Sequence, residues 1–592
     1  MSSVQQIIRD TALQVIRQLY NLPIEANELQ IQTTNPEFEG DYTLVLFPLI
    51  KKTGKQPVEL AKEIGANLLQ EQPEVFTAFN LIKGFLNLTI SDTYWLRALN
   101  RSYNNPHYGI QNARGERVMI EYSSPNTNKP LHLGHLRNNF LGWSVAEIYK
   151  ACGYEVVKTC IVNDRGVHIC KSMIAWQRYA NGATPENTGI KGDHLVGDYY
   201  VKFNEVYKAE TEALVAGGMT KEQAEKDSPI MKAAQQMLLD WEQGNPEIIA
   251  LWKRMNQWVY AGFETTYKRI GSDFHKTYYE SNTYLLGKKT VEDGLKSNVF
   301  YQKDDGSVWI DLTADGLDEK IVQRKDGTSV YITQDIGLAQ LRYDEFKSNT
   351  NIYVIGDEQN YHMKVLQLIC KKLGLAYADG IHHLSYGMVE LPTGKMKSRE
   401  GTVVDADALL DEMEAVAKQK TEALGKVEGF NDEERSALYK ILSLGALKYF
   451  LLRVGPKKKM IFNPEESIDF QGHTGPFIQY THARIKSILR KASVDIHEVE
   501  SSALLPLEKE LLILLESYPQ VIQQACSEQD PSHVANYVYG IAKTFNSFYT
   551  QHSVLNAENE EKKDLRIKLC AFTAQVLSGG MHLLGIEVPE RM

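Results

Sequence analysis

Two histidines three residues apart, His132 and His135, flank Gly134 in a stretch that reads HLGH. Imidazoles at positions i and i+3 can hydrogen-bond the oxygens of one anion. Gly134 removes a side chain, so the backbone can approach that ligand. The context favours a phosphate. VMIEYSS, from Val118 to Ser124, is an apolar strand, and PNTNKP is a turn. A helix is predicted from about Gly134 to Cys152, with Leu141, Val145, Ile148 and Cys152 at helical spacing. A helix opening at the carboxyl end of a parallel strand presents free N–H groups to an anion. Lys129, three residues before His132, adds a cation at the turn. H-x-G-H by itself fits surface or core histidines equally well; the strand–turn–helix context selects the ligand reading.

A second basic segment, GKMKSREGTVV, covers residues 394–404. In isolation it reads as an exposed basic loop. Its place some 260 residues after the histidines, behind a second α/β half, argues against that plain reading. A third segment, VYITQDIG, places Tyr331 and Asp335 four residues apart. Asp335 sits at a predicted strand-to-helix turn, where helix capping is the alternative role.

The elements that must position these residues fall into three blocks. Residues 1 to about 107 read as a small α+β unit. It has an amphipathic opening helix (Val4, Ile8, Ala12, Val15, Leu19), a strand Thr43 to Phe47, a helix Pro57 to Leu69 and a strand Gly84 to Ile90. NNPHYG, residues 104–109, is a linker of turn formers. The second block, 108 to about 470, alternates strand and helix. After the predicted helix, Gly153 serves as a stop and EVVKTCIV (Glu155 to Val162) as the next strand. VYIT (Val330 to Thr333), NIYVIG (Asn351 to Gly356) and LSYGMVEL (Leu384 to Leu391) are read as strands, with helices from Asp335 and through Lys371. A charged, helix-rich insertion is expected over about 172–290. The pattern fits an α/β fold with a split, doubly wound, Rossmann-like parallel sheet. The third block, 471–592, has long amphipathic stretches such as Leu507 to Ala525 and Leu565 to Leu584, and reads as an α-helical bundle.

The bulk numbers restrict the partners. A net charge of −10 predicts no nucleic-acid partner by itself, so any such contact must use local basic clusters. Two exist: Lys457 to Lys459, and Arg484, Lys486, Arg490 and Lys491; each alone reads as solvated surface. The six cysteines form no C-x-x-C pair, which argues against a disulfide framework and a structural zinc site. His168 beside Cys170 offers two ligand types, but packed, reduced thiols are the plainer account. The termini show no signal-like segment, and no apolar run approaches the roughly 20 residues that span a bilayer. A cytoplasmic location and no membrane partner are expected.

The longer string EYSSPNTNKPLHLGHLR, residues 121–137, resembles the arginyl branch of the class I aminoacyl-tRNA synthetases, with Pro125 to His135 matching its HIGH-like region. Lys395, Met396, Lys397, Ser398 and Arg399 resemble the KMSKS loop of that class. The match is imperfect: Ser398 stands where the second lysine belongs, leaving Lys129 or Lys397 to supply that charge. The resemblance implies an ATP site at Lys129, His132, Gly134, His135, Lys395 and Lys397. It implies an arginine site at Glu121, Ser124, Asn126, Tyr331, Asp335 and Gln359. A guanidinium substrate calls for planar acceptors and fixed negative charge, which two carboxylates would provide. GHTGPFIQYTHARIKSILRKA, FNSFY and LLGIEVPERM resemble the family's helical anticodon-binding domain, with Tyr480, Arg484, Phe548 and Tyr549 as candidate tRNA contacts. FEGDYT and GFLNLTI resemble its tRNA-elbow-binding amino-terminal domain, which points to Phe85 and Asn87. NDRGVHICKSM and GDHLVGDYYVKF also resemble family signatures; most of their residues read as packing.

What the family implies is an ATP-dependent ligase, with Mg²⁺ accompanying ATP, that joins L-arginine to tRNA(Arg), working as a monomer. Two alternatives remain at this level. Another class I synthetase or adenylyltransferase would share the histidine motif but not the acid pair. An RNA-binding paralogue without activity would be expected to have lost HLGH, Tyr331, Asp335 or Lys395.

Overall fold

The computed structural model describes residues 3–592 except 36, 391, 393–403, 426, 493–496 and 501. Lys395, Met396, Lys397, Ser398 and Arg399 therefore lie outside the described residues.

The amino-terminal unit runs α1 (Val4–Tyr20), β1 (Ile31–Thr33), β2 (Tyr42–Val45), α2 (Phe47–Thr53), α3 (Pro57–Glu71), β3 (Phe76–Ile82), β4 (Phe85–Ile90) and α4 (Asp92–Ser102). Its strands form an antiparallel sheet in the order β1-β2-β4-β3. Two expectations shift. The strand predicted to reach Phe47 stops at Val45, because Phe47 and Pro48 open α2, and proline is favoured in a first helical turn. Ile16, not Leu19, completes the buried stripe of α1.

The central block holds the site. Its first half is β5 (Arg117–Glu121), α5 (Leu133–Ala151), β6 (Glu155–Val162) and α6 (Val167–Tyr179). A helical insertion follows: α7 (Pro185–Thr188), α8 (Gly192–Ala216), α9 (Lys221–Asp227), α10 (Pro229–Glu242) and α11 (Pro246–Ile270). Next come β7 (Lys276–Tyr279), α12 (Glu280–Thr283), α13 (Lys288–Lys296) and a side sheet of β8 (Tyr301–Gln302), β9 (Val308–Ile310) and β10 (Lys320–Gln323). The second half is α14 (Tyr331–Phe346), β11 (Thr350–Gly356), α15 (Asn360–Lys372) and β12 (Ile381–Tyr386). A short pair, β13 (Val389–Glu390) with β14 (Met460–Ile461), then brackets α16 (Ala406–Ala423) and α17 (Asp432–Leu452), and α18 (Pro464–Ser467) closes the block.

The main sheet is parallel throughout, in the order β12-β11-β5-β6-β7. The chain winds outward from β5 to β7, returns, and winds the other way from β11 to β12. The order reverses between β5 and β11, and open α/β sheets bind ligands at such a switch point, beyond the carboxyl ends of the strands. β7 lies within the expected 172–290 insertion but belongs to this sheet, so the inserted part ends before Lys276. α5 is buried on nearly all sides, because the sheet covers one face while α17 and α21 (Tyr518–Glu528) cover the others. It ends where Cys152 caps it and Gly153 turns to φ +85°, a conformation that glycine adopts without a Cβ penalty.

VYIT is not a strand. It forms the start of α14, with Ile332, Ile336 and Ala339 buried on one helical face. Four apolar residues cannot distinguish a period of 2 from one of 3.6. LSYGMVEL is likewise split, into the end of β12 and the separate β13. The last block is α19 (Gly475–Lys491), α20 (Pro506–Glu516), α21, α22 (Ser532–Gln551) and α23 (Glu560–Leu583), with no strand among the described residues. The stretch expected as one helix from Leu507 to Ala525 breaks at Ser517, just ahead of Pro519.

The amino-terminal unit is bonded directly to this bundle. Half-buried Glu516 accepts from the Val4 N–H at 2.8 Å and faces the Tyr42 hydroxyl, and Lys509 pairs with Asp41 at 2.9 Å.

Candidate active site

The histidine turn sits at the carboxyl end of β5. His132 is the N-cap of α5, and its Nδ1 accepts from the Gly134 N–H at 3.2 Å. In return the His132 N–H donates to His135 Nδ1 at 3.1 Å. The two rings lie 3.9 Å apart. Burial and the neighbouring Lys129 push the His132 pKa down to about 3, and burial takes His135 well below the ordinary histidine value. Both rings are therefore neutral near pH 7. With each Nδ1 engaged as an acceptor, each proton resides on Nε2. The pair thus offers two neutral N–H donors at a helix amino terminus rather than two cations. Any Cβ at position 134 would come within 3.1 Å of the His132 ring, so glycine here leaves room for the histidine as well as for a ligand.

Lys129 and His132 line a cavity of about 320 Å³ with Pro130, His194, Asp198 and Asp405. Burial lowers the Lys129 pKa.

On its other side the same β5–α5 connection faces a larger cleft of about 800 Å³. Asn126, Tyr331 and Asp335 all line it. Tyr331 is 73% exposed at the first turn of α14. Asp335 lies one turn further on, so it is not a helix cap; Val330 holds that position. The Asp335 carboxylate accepts from His362 Nε2 at 2.6 Å. Further charged side chains in the lining are Arg165, Glu242, Glu280, Lys288, Arg324 and Asp326. Glu280 opens α12, and burial raises its carboxyl pKa to about 7, opposed by Arg165. Arg165 pairs with Glu242 and stacks 3.9 Å from the Tyr284 ring centre. Glu280 is placed by Asp164, fully buried, which accepts from the N–H and hydroxyl of the adjacent Ser281. Asp164 and Arg165 belong to NDRGVHICKSM, so that string carries positioning and charge as well as packing. Nothing in the local sequence marked Glu280 or His362.

Other expected arginine contacts are placed differently. Glu121 ends β5 as anticipated but is buried and ion-paired with the equally buried Arg342 of α14. It does not line the cleft, and its charge is already matched. Asp335 is a helical residue, so the two acids are not on neighbouring strand ends. Ser124 also lies off the cleft, its carbonyl accepting from Asn163 at 3.2 Å. Gln359 follows β11 in a short turn, exposed and away from the lining.

The candidate tRNA contacts divide in the same way. On α19, the Arg484 guanidinium lies 4.7 Å from the Tyr480 ring centre and 5.6 Å from that of Tyr549, which is 39% exposed. Phe548 is fully buried in the bundle core, so it has no face for a base. Phe85 packs edge-on against the more exposed Phe47, at 5.4 Å. Asn87 is 1% exposed, bonded to Thr43 and Asn80 inside the sheet. Neither Phe548 nor Asn87 can meet RNA directly in this conformation.

Among the described residues, one cluster of possible metal ligands appears: Asp193, His194 and Asp407. The Lys191 ammonium occupies its centre, 3.0 Å from Asp193 and 2.7 Å from Asp407. All six cysteines are buried and unpaired. No helix among the described residues is long and apolar enough to cross a membrane.

Comparison with known proteins agrees with this geometry. Residues 100–463 match the family model for class I (R) tRNA synthetase catalytic domains. Residues 478–592 match the DALR anticodon-binding domain, and 3–90 the arginyl-tRNA synthetase N-terminal domain. An arginine–tRNA ligase of Flavobacterium psychrophilum is 53% identical over 603 aligned residues that span all of both chains. One of Bacteroides fragilis is 54% identical over 584, with 98% of each covered. The solved arginyl-tRNA synthetase of Thermus thermophilus shares the fold along the whole of both chains, with a TM-score of 0.81 at 24% identity. On this full-length match, the chain belongs to the arginyl-tRNA synthetase family of class I.

Proposed function

We propose that this chain activates L-arginine with ATP and passes the arginyl group to the 3′ end of tRNA(Arg), using the two sides of its β5–α5 connection. The observation that carries this reading is that one connection presents Asn126 to a cleft holding Tyr331, Asp335 and Glu280, and Lys129 and His132 to a phosphate-compatible helix terminus. The cleft takes the amino acid. Asp335 and Glu280 supply negative charge to the guanidinium, Tyr331 and Asn126 flank it, and Glu121 acts from below by holding Arg342 and the face of α14. ATP enters as its Mg²⁺ complex.

The first step is attack of an arginine carboxylate oxygen on the α-phosphorus. The O–P bond to arginine forms, the bond to the β-phosphate bridge breaks, and diphosphate leaves with its electron pair. The carboxylate is already ionised at neutral pH, so no general base is required. Catalysis is then a matter of alignment and of stabilising phosphate charge. His132 and His135 donate through Nε2, the α5 amino terminus adds its free N–H groups, and Lys129 supplies a full charge. In the second step a terminal ribose hydroxyl of tRNA attacks the acyl carbon and AMP departs. The bundle, with exposed Tyr549 beside half-buried Tyr480 and Arg484, takes the anticodon end of that RNA. We take the chain to act as a cytoplasmic monomer.

Amino-acid-dependent ATP–pyrophosphate exchange, run with each standard amino acid and with tRNA(Arg) present, tests this. Arginine alone should support exchange. Robust exchange with any other amino acid, or none with arginine, overturns the reading.

A further inference from the structure

Val404 to Ala406 form a bridge between the histidine turn and the helical insertion. Their backbone is stitched to the turn: the Leu133 N–H donates to Val404 O at 3.1 Å, the Ala406 N–H donates to Leu131 O at 2.9 Å, and His132 pairs antiparallel with Asp405. Val404 directly follows residues 393–403, which carry the KMKSR sequence. Asp405 also caps α16, accepting from the Ala408 N–H at 2.9 Å. From the opposite side, the start of α8 grips the two acids of this segment. His194 Nε2 lies 3.2 Å from Asp407 and 3.3 Å from the second oxygen of Asp405, a buried atom with no other partner. Lys191 reaches Asp407 at 2.7 Å, Asp193 at 3.0 Å and the Thr266 hydroxyl of α11 at 2.6 Å. Arg269 of α11 donates to the Asp407 carbonyl at 3.3 Å and pairs with Asp411 at 2.6 Å.

We infer that His194, backed by Lys191, is a positioning residue for the nucleotide site: it holds the 404–406 segment against the His132 turn and balances Asp405 beside the phosphates. The charge argument is specific. Asp405 lines the same cavity as Lys129 and His132. An unbalanced carboxylate there opposes a polyphosphate and attracts Lys129 away from it. His194 is the group that faces the free Asp405 oxygen, and its hydrogen bond to Asp407 raises its pKa above the ordinary histidine value. GDHLVGDYYVKF, which begins α8, thereby gains a chemical role: its Asp193 and His194 connect the insertion to the ATP half of the site.

This inference rests on the nucleotide site proposed above, and the test separates the two. Pyrophosphate exchange is measured with the full-length protein, arginine and tRNA(Arg), varying ATP and arginine in turn. His194→Ala should raise KM for ATP about tenfold, the scale of one lost charge interaction at surface-like screening, and leave KM for arginine within about twofold. His194→Gln keeps a donor in place but not the charge, and should recover the loss only in part. His194→Ala combined with Asp405→Asn should also recover it, because the unbalanced charge is gone. Thermal melting of each variant confirms folding, and the double variant and His194→Gln carry the test if His194→Ala is unstable. An unchanged KM for ATP in His194→Ala, a parallel rise in both KM values, or no recovery in either second variant overturns the inference. Absence of ATP-dependent exchange in the unmodified protein overturns the parent reading instead.

Discussion

His362 donates a 2.6 Å hydrogen bond from Nε2 to Asp335, so the acid that faces the amino-acid cleft already holds an imidazole. The bond to Asp335 raises the His362 pKa above its ordinary value. Below that raised value the imidazolium competes with a substrate guanidinium for one carboxylate. Above it the ring is neutral and yields more readily. KM for arginine should therefore fall as pH rises from about 6 to about 8. Glu280 contributes in the same direction, since its carboxyl, raised to about 7, ionises over this range. His362→Gln separates the two: whatever slope remains belongs to Glu280. The stability linkage has the opposite sign. A raised histidine pKa stabilises fully below the unfolded value, and that contribution is lost as pH climbs through the folded one. A KM for arginine independent of pH in the unmodified protein would remove both groups from substrate binding.

Asp335→Asn should raise KM for arginine strongly and leave ATP binding near normal. Loss of one member of a desolvated charge pair costs about 2–5 kcal/mol, much of it from the partner left unmatched. Because Asp335 lies inside α14 and not at its cap, a mild phenotype has no capping explanation here. Steady-state exchange with arginine varied reads the result directly.

Arg342 and Glu121 are both buried, one on α14 and one at the end of β5. Arg342→Met strands the carboxylate and should cost about 3–5 kcal/mol in chemical denaturation. Adding Glu121→Gln should restore much of that stability, since the two sites are coupled. If the double variant is no more stable than Arg342→Met, the two groups are not coupled and the cost comes from lost Arg342 packing; if neither variant loses stability, the pair is a spectator.

The legible parts of this fold were those with strong punctuation. β5, α5 and β6 follow from an apolar run, a Pro/Asn turn, a long helical stripe and Gly153; the structure places α5 and β6 within a residue, while β5 ends at Glu121, three residues before the expected Ser124. The start of α14 was misread because VYIT is too short to show a period, yet Asp335 and Tyr331 still reach the cleft. Their approach depends on where α14 lies over the sheet, not on the type of the element before it. Arg342 is 221 residues from Glu121, and no local pattern links them. Phe548 and Asn87 show the opposite limit: an aromatic or an amide looks the same in sequence whether it stacks on a base or fills a core, and only burial distinguishes them.

That distinction gives a paired test in the helical bundle. Tyr549→Ala removes an exposed ring beside Arg484 and should weaken tRNA use by about 1–3 kcal/mol, the range for one base stacked on an aromatic. Its folding should be nearly unchanged. Phe548→Ala, one residue earlier, should instead cost about 3–5 kcal/mol of stability, because it empties a core position. KM for tRNA and thermal melting, measured on both, separate the roles. Normal tRNA use in Tyr549→Ala would move the RNA contact elsewhere on the bundle.

The last test concerns the charge that Ser398 does not supply. Lys129 is half-buried in the turn before His132 and lines the same cavity. Burial lowers its pKa without giving it an acidic partner of its own, and its charge helps keep His132 neutral. It is thus a cation held in reserve beside two neutral donors, the arrangement needed where negative charge grows on a departing diphosphate. Lys129→Ala should lower the rate of adenylate formation by about 10²–10³, the usual loss for a donor acting mainly on transition-state charge. ATP affinity should change much less, since the α5 terminus and the histidines share ground-state binding. The variant should also let His132 take up a proton at a higher pH than before, because the opposing charge is gone. Lys397→Ala, in the KMKSR segment, should be the milder change. Single-turnover adenylate formation in both variants, with tRNA present, decides between them: a crippled Lys397→Ala beside a near-normal Lys129→Ala would place the missing charge in that segment and leave Lys129 as a buried structural cation.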